Sequence, residues 1–157
     1  MVNESRNDLN DYLYGLFYGT VSKNVYPKGV PTELTPPDVK EGFIVLRAGG
    51  ISDMGEFRKE TSATVRCYVE AYVPVISRGR YNRGLYKRFE DSINSVVDEE
   101  IANPSNRTYT ILDEGLLSYD DDEHNDADNR YMLFIKSFLV MIDQTENNNN
   151  NNNKKKK

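Results

Sequence analysis

Apolar and polar residues alternate across residues 63–76, Ala-Thr-Val-Arg-Cys-Tyr-Val-Glu-Ala-Tyr-Val-Pro-Val-Ile. Odd positions carry Val65, Cys67, Val69, Ala71, Val73 and Val75; even positions carry Thr64, Arg66, Tyr68, Glu70, Tyr72 and Pro74. Successive strand side chains point to opposite faces, so this stretch predicts one long strand with a small apolar face and a polar-aromatic face. A helix would scatter those apolar residues around its circumference. Pro74 has no N–H for a ladder, which places the far end of the strand at an edge or a bulge. The face bearing Arg66, Tyr68, Glu70 and Tyr72 is expected to be solvated or covered by something else.

Helical spacing flanks this strand on both sides. Leu9, Tyr12, Leu13, Leu16, Phe17 and Thr20 form one stripe, predicting a helix over 6–21. Ser5 stands as its cap, with Asp8 in place of the usual Glu of a capping box. Gly15 and Gly19, four apart, weaken this helix and permit close packing. A second stripe, Leu85, Phe89, Ile93, Val96, Val97 and Ile101, predicts a helix over 82–102, ended by Asn103-Pro104.

Pro27, Pro31, Pro36 and Pro37 mark an extended loop before an apolar strand at 42–48. Residues 49–59, with Gly49-Gly50 and Gly55, read as a protruding hairpin loop. A short strand at 108–112, a long acidic loop at 113–129 and a last strand at 131–142 follow. The last strand is apolar on both faces, as a central position requires. The predicted class is α+β: a two-layer sandwich with both helices on one face of an antiparallel sheet, in the order α-β-β-α-β-β, with extended loops. Residues 1–144 form one domain; 145–157, seven asparagines and four lysines among them, form a low-complexity tail.

Composition sharpens this picture in two places. The chain has 157 residues and a single cysteine, Cys67, on the apolar strand face, where it serves as a small hydrophobe. No apolar run approaches a membrane span, and the polar start carries no secretion signal, so a reducing cytoplasm is expected. Net charge is −5, but residues 1–153 carry −9, sixteen bases against 25 acids. A domain that acidic is not a generic nucleic-acid binder.

Catalytic constellations are not recognisable. His124, the one histidine, sits among Asp120, Asp121, Asp122, Glu123, Asp126 and Asp128 with nothing to position it. Asp120, Asp122 and His124 match only the beginning of a calcium loop. Gly49-Gly50 lacks the Lys-Ser/Thr of a phosphate loop. No catalytic, metal or cofactor site is assigned, and no enzyme is expected.

Charge on the second helix is more informative. Arg78, Arg80, Arg83, Lys87 and Arg88 gather at its start; Asp98, Glu99 and Glu100 gather at its end. Both clusters oppose the helix dipole, at a few tenths of a kcal/mol per charge. A neighbour presenting the opposite charge removes that penalty, and a head-to-tail ring repeats such a contact until it closes. An ordinary solvated helix is the plainer reading, since surface charge pairs contribute little. Asp120, Asp121 and Asp122 form a second acidic surface that could face the 78–88 cluster. Lys154, Lys155, Lys156 and Lys157 offer a basic tether for nucleic acid or an acidic protein surface.

This layout resembles that of the tail-terminator and head–tail connector proteins of tailed bacteriophages. The similarity covers about residues 6–143 and rests on element order: an amphipathic helix from Asp8, a Pro-rich stretch from Tyr26-Pro27 to Pro37, a strand from Phe43 to Leu46, a long loop, the strand Val65 to Val75, the helix Leu85 to Ile101 and two closing strands. The resemblance implies a non-enzymatic subunit of a six- or twelve-fold homo-oligomeric ring at the virion neck or tail top, assembled in the host cytoplasm. It further implies contact with the portal or adjacent ring proteins, non-specific contact with packaged DNA, and no membrane or cofactor. The tail departs from the family pattern, and the acidic loop is longer. An Asn/Lys run fits an AT-rich phage genome, such as that of a crAss-like phage. Two rivals stand beside this reading: an adaptor using the tyrosine-bearing sheet face, and a nucleic-acid-binding protein using the 78–88 cluster.

Overall fold

Small residues on one side of the long strand let two helices approach it closely. In a computed structural model describing residues 2–27, 29–30, 35, 40–49, 62–77, 80–121, 125–126 and 129–143, that strand is β3, Ser62–Ser77. Val65, Cys67, Val69, Ala71 and Val73 are buried there in one cluster with Leu9, Leu13 and Phe17 of α1 (Val2–Phe17). Leu85, Tyr86, Phe89, Ile93 and Val97 of α2 (Arg83–Ala102) join the same cluster. The chain is α+β, with these helices against a mixed open sheet.

Sheet register is fixed by β3 and β8 (Asn129–Asp143), which pair antiparallel from Ser62↔Asp143 to Pro74↔Tyr131. On the other side of β3 lies β2 (Phe43–Ala48), antiparallel from Phe43↔Tyr72 to Ala48↔Cys67. Beyond it, β1 (Val25–Tyr26) runs parallel to β2, so the sheet is not purely antiparallel as expected. The chain between them is long enough to return in the same direction, which a parallel pair requires. Pro74 behaves as its chemistry demands. The β2 ladder stops at Tyr72, and the pairing of β3 with β4 (Arg80–Tyr81) shifts register between Val75 and Ser77.

The acidic stretch 113–129 is not a loop throughout. It contains β6 (Leu117–Asp121) and β7 (Asn125–Asp126), both paired with β8 beside β5 (Tyr109–Ile111). The sequence hides β6 because its larger apolar residues, Leu117 and Tyr119, are 56% and 48% exposed. Main-chain bonding to β8, not a core-facing pattern, holds it. The described order is therefore richer than α-β-β-α-β-β.

Both ends of α1 differ from the expected 6–21. α1 begins at Val2, so Ser5 lies inside it rather than capping it. Nothing in Val2-Asn3-Glu4 opposes a helix, and Asp8 is too short to complete a capping box. α1 stops at Phe17 because Gly19 takes a φ of 79°, a left-handed value that ends helices at low cost for glycine. α2 starts where Asn82 caps it, its side chain accepting from the Leu85 N–H at 3.0 Å.

The side of the sheet away from α1 and α2 carries a second cluster. Phe43, Val45, Tyr72, Tyr131, Leu133 and Ile135 are buried, with Tyr26, Val30 and Tyr68 packed against them. Tyr72, read above as a face residue, is 2% exposed. Gly42, at φ 76°, makes the junction possible, since a Cβ there would meet the Tyr72 carbonyl oxygen at 2.5 Å.

Burial also sets the alkaline limit. Cys67 is fully buried, and burial pushes its thiol from 9.0 up to about 12. Burial, followed by Glu70, pushes Tyr72 from 10.0 up to about 12. Both folded-state values lie above the unfolded ones, so the stability they contribute is complete below pH 9 and is lost as pH rises from 9 through 12. Cys67 alone accounts for on the order of 4 kcal/mol by the top of that window. Urea titrations should show a flat unfolding free energy up to about pH 8.5 and a steep fall above it. Cys67→Ala should remove the early part of the fall and leave the tyrosine part.

Candidate interface surfaces

Charge opposes the dipole of α2 at both ends: no acid lies in its first turn and no base in its last. Arg83, Lys87 and Arg88 are exposed on α2, and Arg80 is exposed just before it; Arg78 lies outside the described residues. Lys87 pairs with Asp91 one turn on, Nζ to Oδ1 at 2.8 Å, which raises its ammonium above its ordinary range. The Arg88 guanidinium lies 5.9 Å from the Phe89 ring centroid. Among the described residues, Arg80, Arg83 and Arg88 form no ion pair. Asp98 and Glu99 are exposed at the other end, where Glu99 accepts from the Asn103 side-chain amide at 3.0 Å. At 1.5 Å per residue, roughly 24 Å separates Arg83 from Glu99.

Glu100 does not belong to that surface. It is 5% exposed, and its Oε1 accepts from the Tyr12 hydroxyl at 2.8 Å, the Ser105 N–H at 3.0 Å and the Ser105 hydroxyl at 2.7 Å. It ties α1, α2 and the turn after α2 together. The sequence holds the sign of this: Phe89, Ile93, Val97 and Glu100 follow one another by four, four and three, on the buried stripe. Burial, then the bond and charge of Glu100, push the Tyr12 hydroxyl above its usual range.

Asp120 is likewise engaged within the chain. It accepts a hydrogen bond from the Tyr86 hydroxyl, which joins β6 to the first turns of α2. Burial and this bond push the Tyr86 hydroxyl up. Asp120 thus meets the 78–88 region through a tyrosine of the same chain. Asp121 is half-buried; Asp122 and Lys154–157 lie outside the described residues, as do most of the 49–59 loop and His124.

The chain matches no protein-family model, and no curated protein is similar to it. Among the described residues, no helix is long and apolar enough to cross a membrane. The geometry itself therefore carries the functional reading.

Two further polar contacts lie on the sheet face away from α1 and α2, and no motif announces them. Arg47 pairs with Glu70, Nε to Oε1 at 2.8 Å, a bond that raises its guanidinium. Arg66 Nη1 donates to the Ser137 hydroxyl at 2.7 Å and the Gly115 carbonyl at 3.1 Å, pinning the β5–β6 turn onto the sheet. Each residue is polar within an alternating strand, and only the register brings the partners together.

Proposed function

We propose that this chain is a structural subunit of a closed ring at a bacteriophage neck or tail top, joining head or portal to tail around the DNA channel. One observation carries the reading: α2 exposes bases at its N-terminal end and acids at its C-terminal end, against its own dipole. Within one chain that arrangement is slightly destabilising. Between identical subunits placed head to tail, Arg80, Arg83 and Arg88 of one copy meet Asp98 and Glu99 of the next, and the contact repeats until the ring closes. A two-layer body, with both helices on one side of the sheet, leaves α2 on the outside to make it. Portal and adjacent ring proteins are the partners this role supplies.

The test is native mass and imaging of the full chain against Arg80→Glu/Arg83→Glu/Arg88→Glu. The wild type should form closed rings that loosen with salt, and the variant should remain monomeric. Mixing that variant with Asp98→Lys/Glu99→Lys should restore association. An unchanged assembly state in the reversed variant would falsify the contact.

A second reading is favoured by the same three arginines, which have no ion pair among the described residues: they face nucleic acid. It predicts DNA binding at low salt whose affinity falls steeply as salt rises. Absence of binding at low salt removes it.

A further inference from the structure

The outer edge of the sheet beside β8 is formed by β5 and β6. Among the described residues, β5 and β6 pair only with β8; the outward Tyr109 N–H of β5 already donates to the Asn106 side chain at 3.3 Å, and the outward main-chain groups of β6 form a template for another strand. Exposed Leu117 and Tyr119 on β6 supply apolar contact. Asp113, Glu114, Asp120 and Asp121 make this edge acidic. Two copies of β6 brought together would oppose like charges, which disfavours a second copy's β6 as the occupant.

We propose that the occupant is the chain's own C-terminal segment, residues 144–157, folded back along β5 and β6. Strand spacing supports the register. Passing over β5 to its outer edge is a crossing of about 10 Å, which takes about three residues. Position 147 is then level with Asp143, where β8 ends. Counting back from there, Asn147–Asn153 run level with residues 143–137, alongside β5 and the turn after it. Lys154, Lys155, Lys156 and Lys157 fall level with Lys136, Ile135, Phe134 and Leu133, whose β6 partners are Ser118, Tyr119, Asp120 and Asp121. The four lysines thus arrive at the acidic end of β6, and the asparagines supply the spacer that brings them there. The docking is independent of the ring reading.

Disulfide trapping in the full chain tests it. Adjacent strands hold opposed Cα atoms within disulfide range. Cys67 is fully buried and does not compete. Asp121→Cys/Lys157→Cys should close within one chain about tenfold faster at low salt than a control, Ser95→Cys/Lys157→Cys, on the exposed side of α2. Adding Lys154→Glu/Lys155→Glu/Lys156→Glu should abolish that advantage. Equal closure rates for the two pairs overturn the proposal. So does an advantage that survives charge reversal, or one that yields only covalent dimers, which would assign the tail to a second copy.

Discussion

Phe43→Ala is expected to destabilise the fold by about 4 kcal/mol, as much as truncating a core residue on the helix side. Phe43 is fully buried although neither α1 nor α2 contributes to its cluster. Its ring stacks on Tyr72 at 4.7 Å and 8° between planes, and meets Tyr131 and Tyr26 edge-on at 5.5 and 5.7 Å. Such aromatic pairs add to the burial itself. Tyr26 and Val30 seal this cluster, so the variant should also speed amide exchange at Val25 and Tyr26. Tyr68→Ala, at a half-buried position of the same face, should cost only about 1 kcal/mol. Urea denaturation of both variants decides the matter. If Phe43→Ala cost no more than Tyr68→Ala, the sheet face away from α1 and α2 would be a solvated surface and open to a partner, as the adaptor reading requires.

Glu100→Ala should cost about 3 kcal/mol, far more than a surface carboxylate. Three hydrogen bonds converge on one oxygen of this side chain. Removing it leaves the Tyr12 hydroxyl without its acceptor, and hydrogen bonds to a charged group are worth more than neutral ones. Tyr12→Phe should cost about 1.5 kcal/mol, because the ring remains stacked on Tyr109 at 5.0 Å. The double variant should cost less than the sum, since each change removes the same bond. Neither change should alter assembly, whereas reversing Asp98 and Glu99 should. That contrast separates the buried member of the acidic triplet from the two exposed ones.

Legibility of the candidate charged surfaces followed the same line. The exposure of Arg83, Lys87, Arg88, Asp98 and Glu99 follows from helical periodicity, because each falls off the apolar stripe. Glu100 falls on the stripe, and its charge invited the wrong face. Asp120 was readable as acidic but not as the acceptor for Tyr86, 34 positions away in the sequence. Such a contact exists only after β6 has paired with β8.

Local periodicity by itself determined both helices, the strands β2, β3, β5 and β8, and the buried state of Cys67. It did so because period 3.6 and period 2 each leave a distinct apolar pattern along the chain. Pro74 likewise announced its edge, since a missing N–H is a property of the residue alone. The tertiary structure alone decided that β1 is parallel, that β6 and β7 exist, and that Phe43, Tyr72 and Tyr131 form a second core. Strands of two to five residues are too short to show a period; they hold together through backbone bonds to a neighbour, and backbone groups are the same in every residue. The second core needs residues from β2, β3 and β8 in one register, which no single stretch of sequence contains.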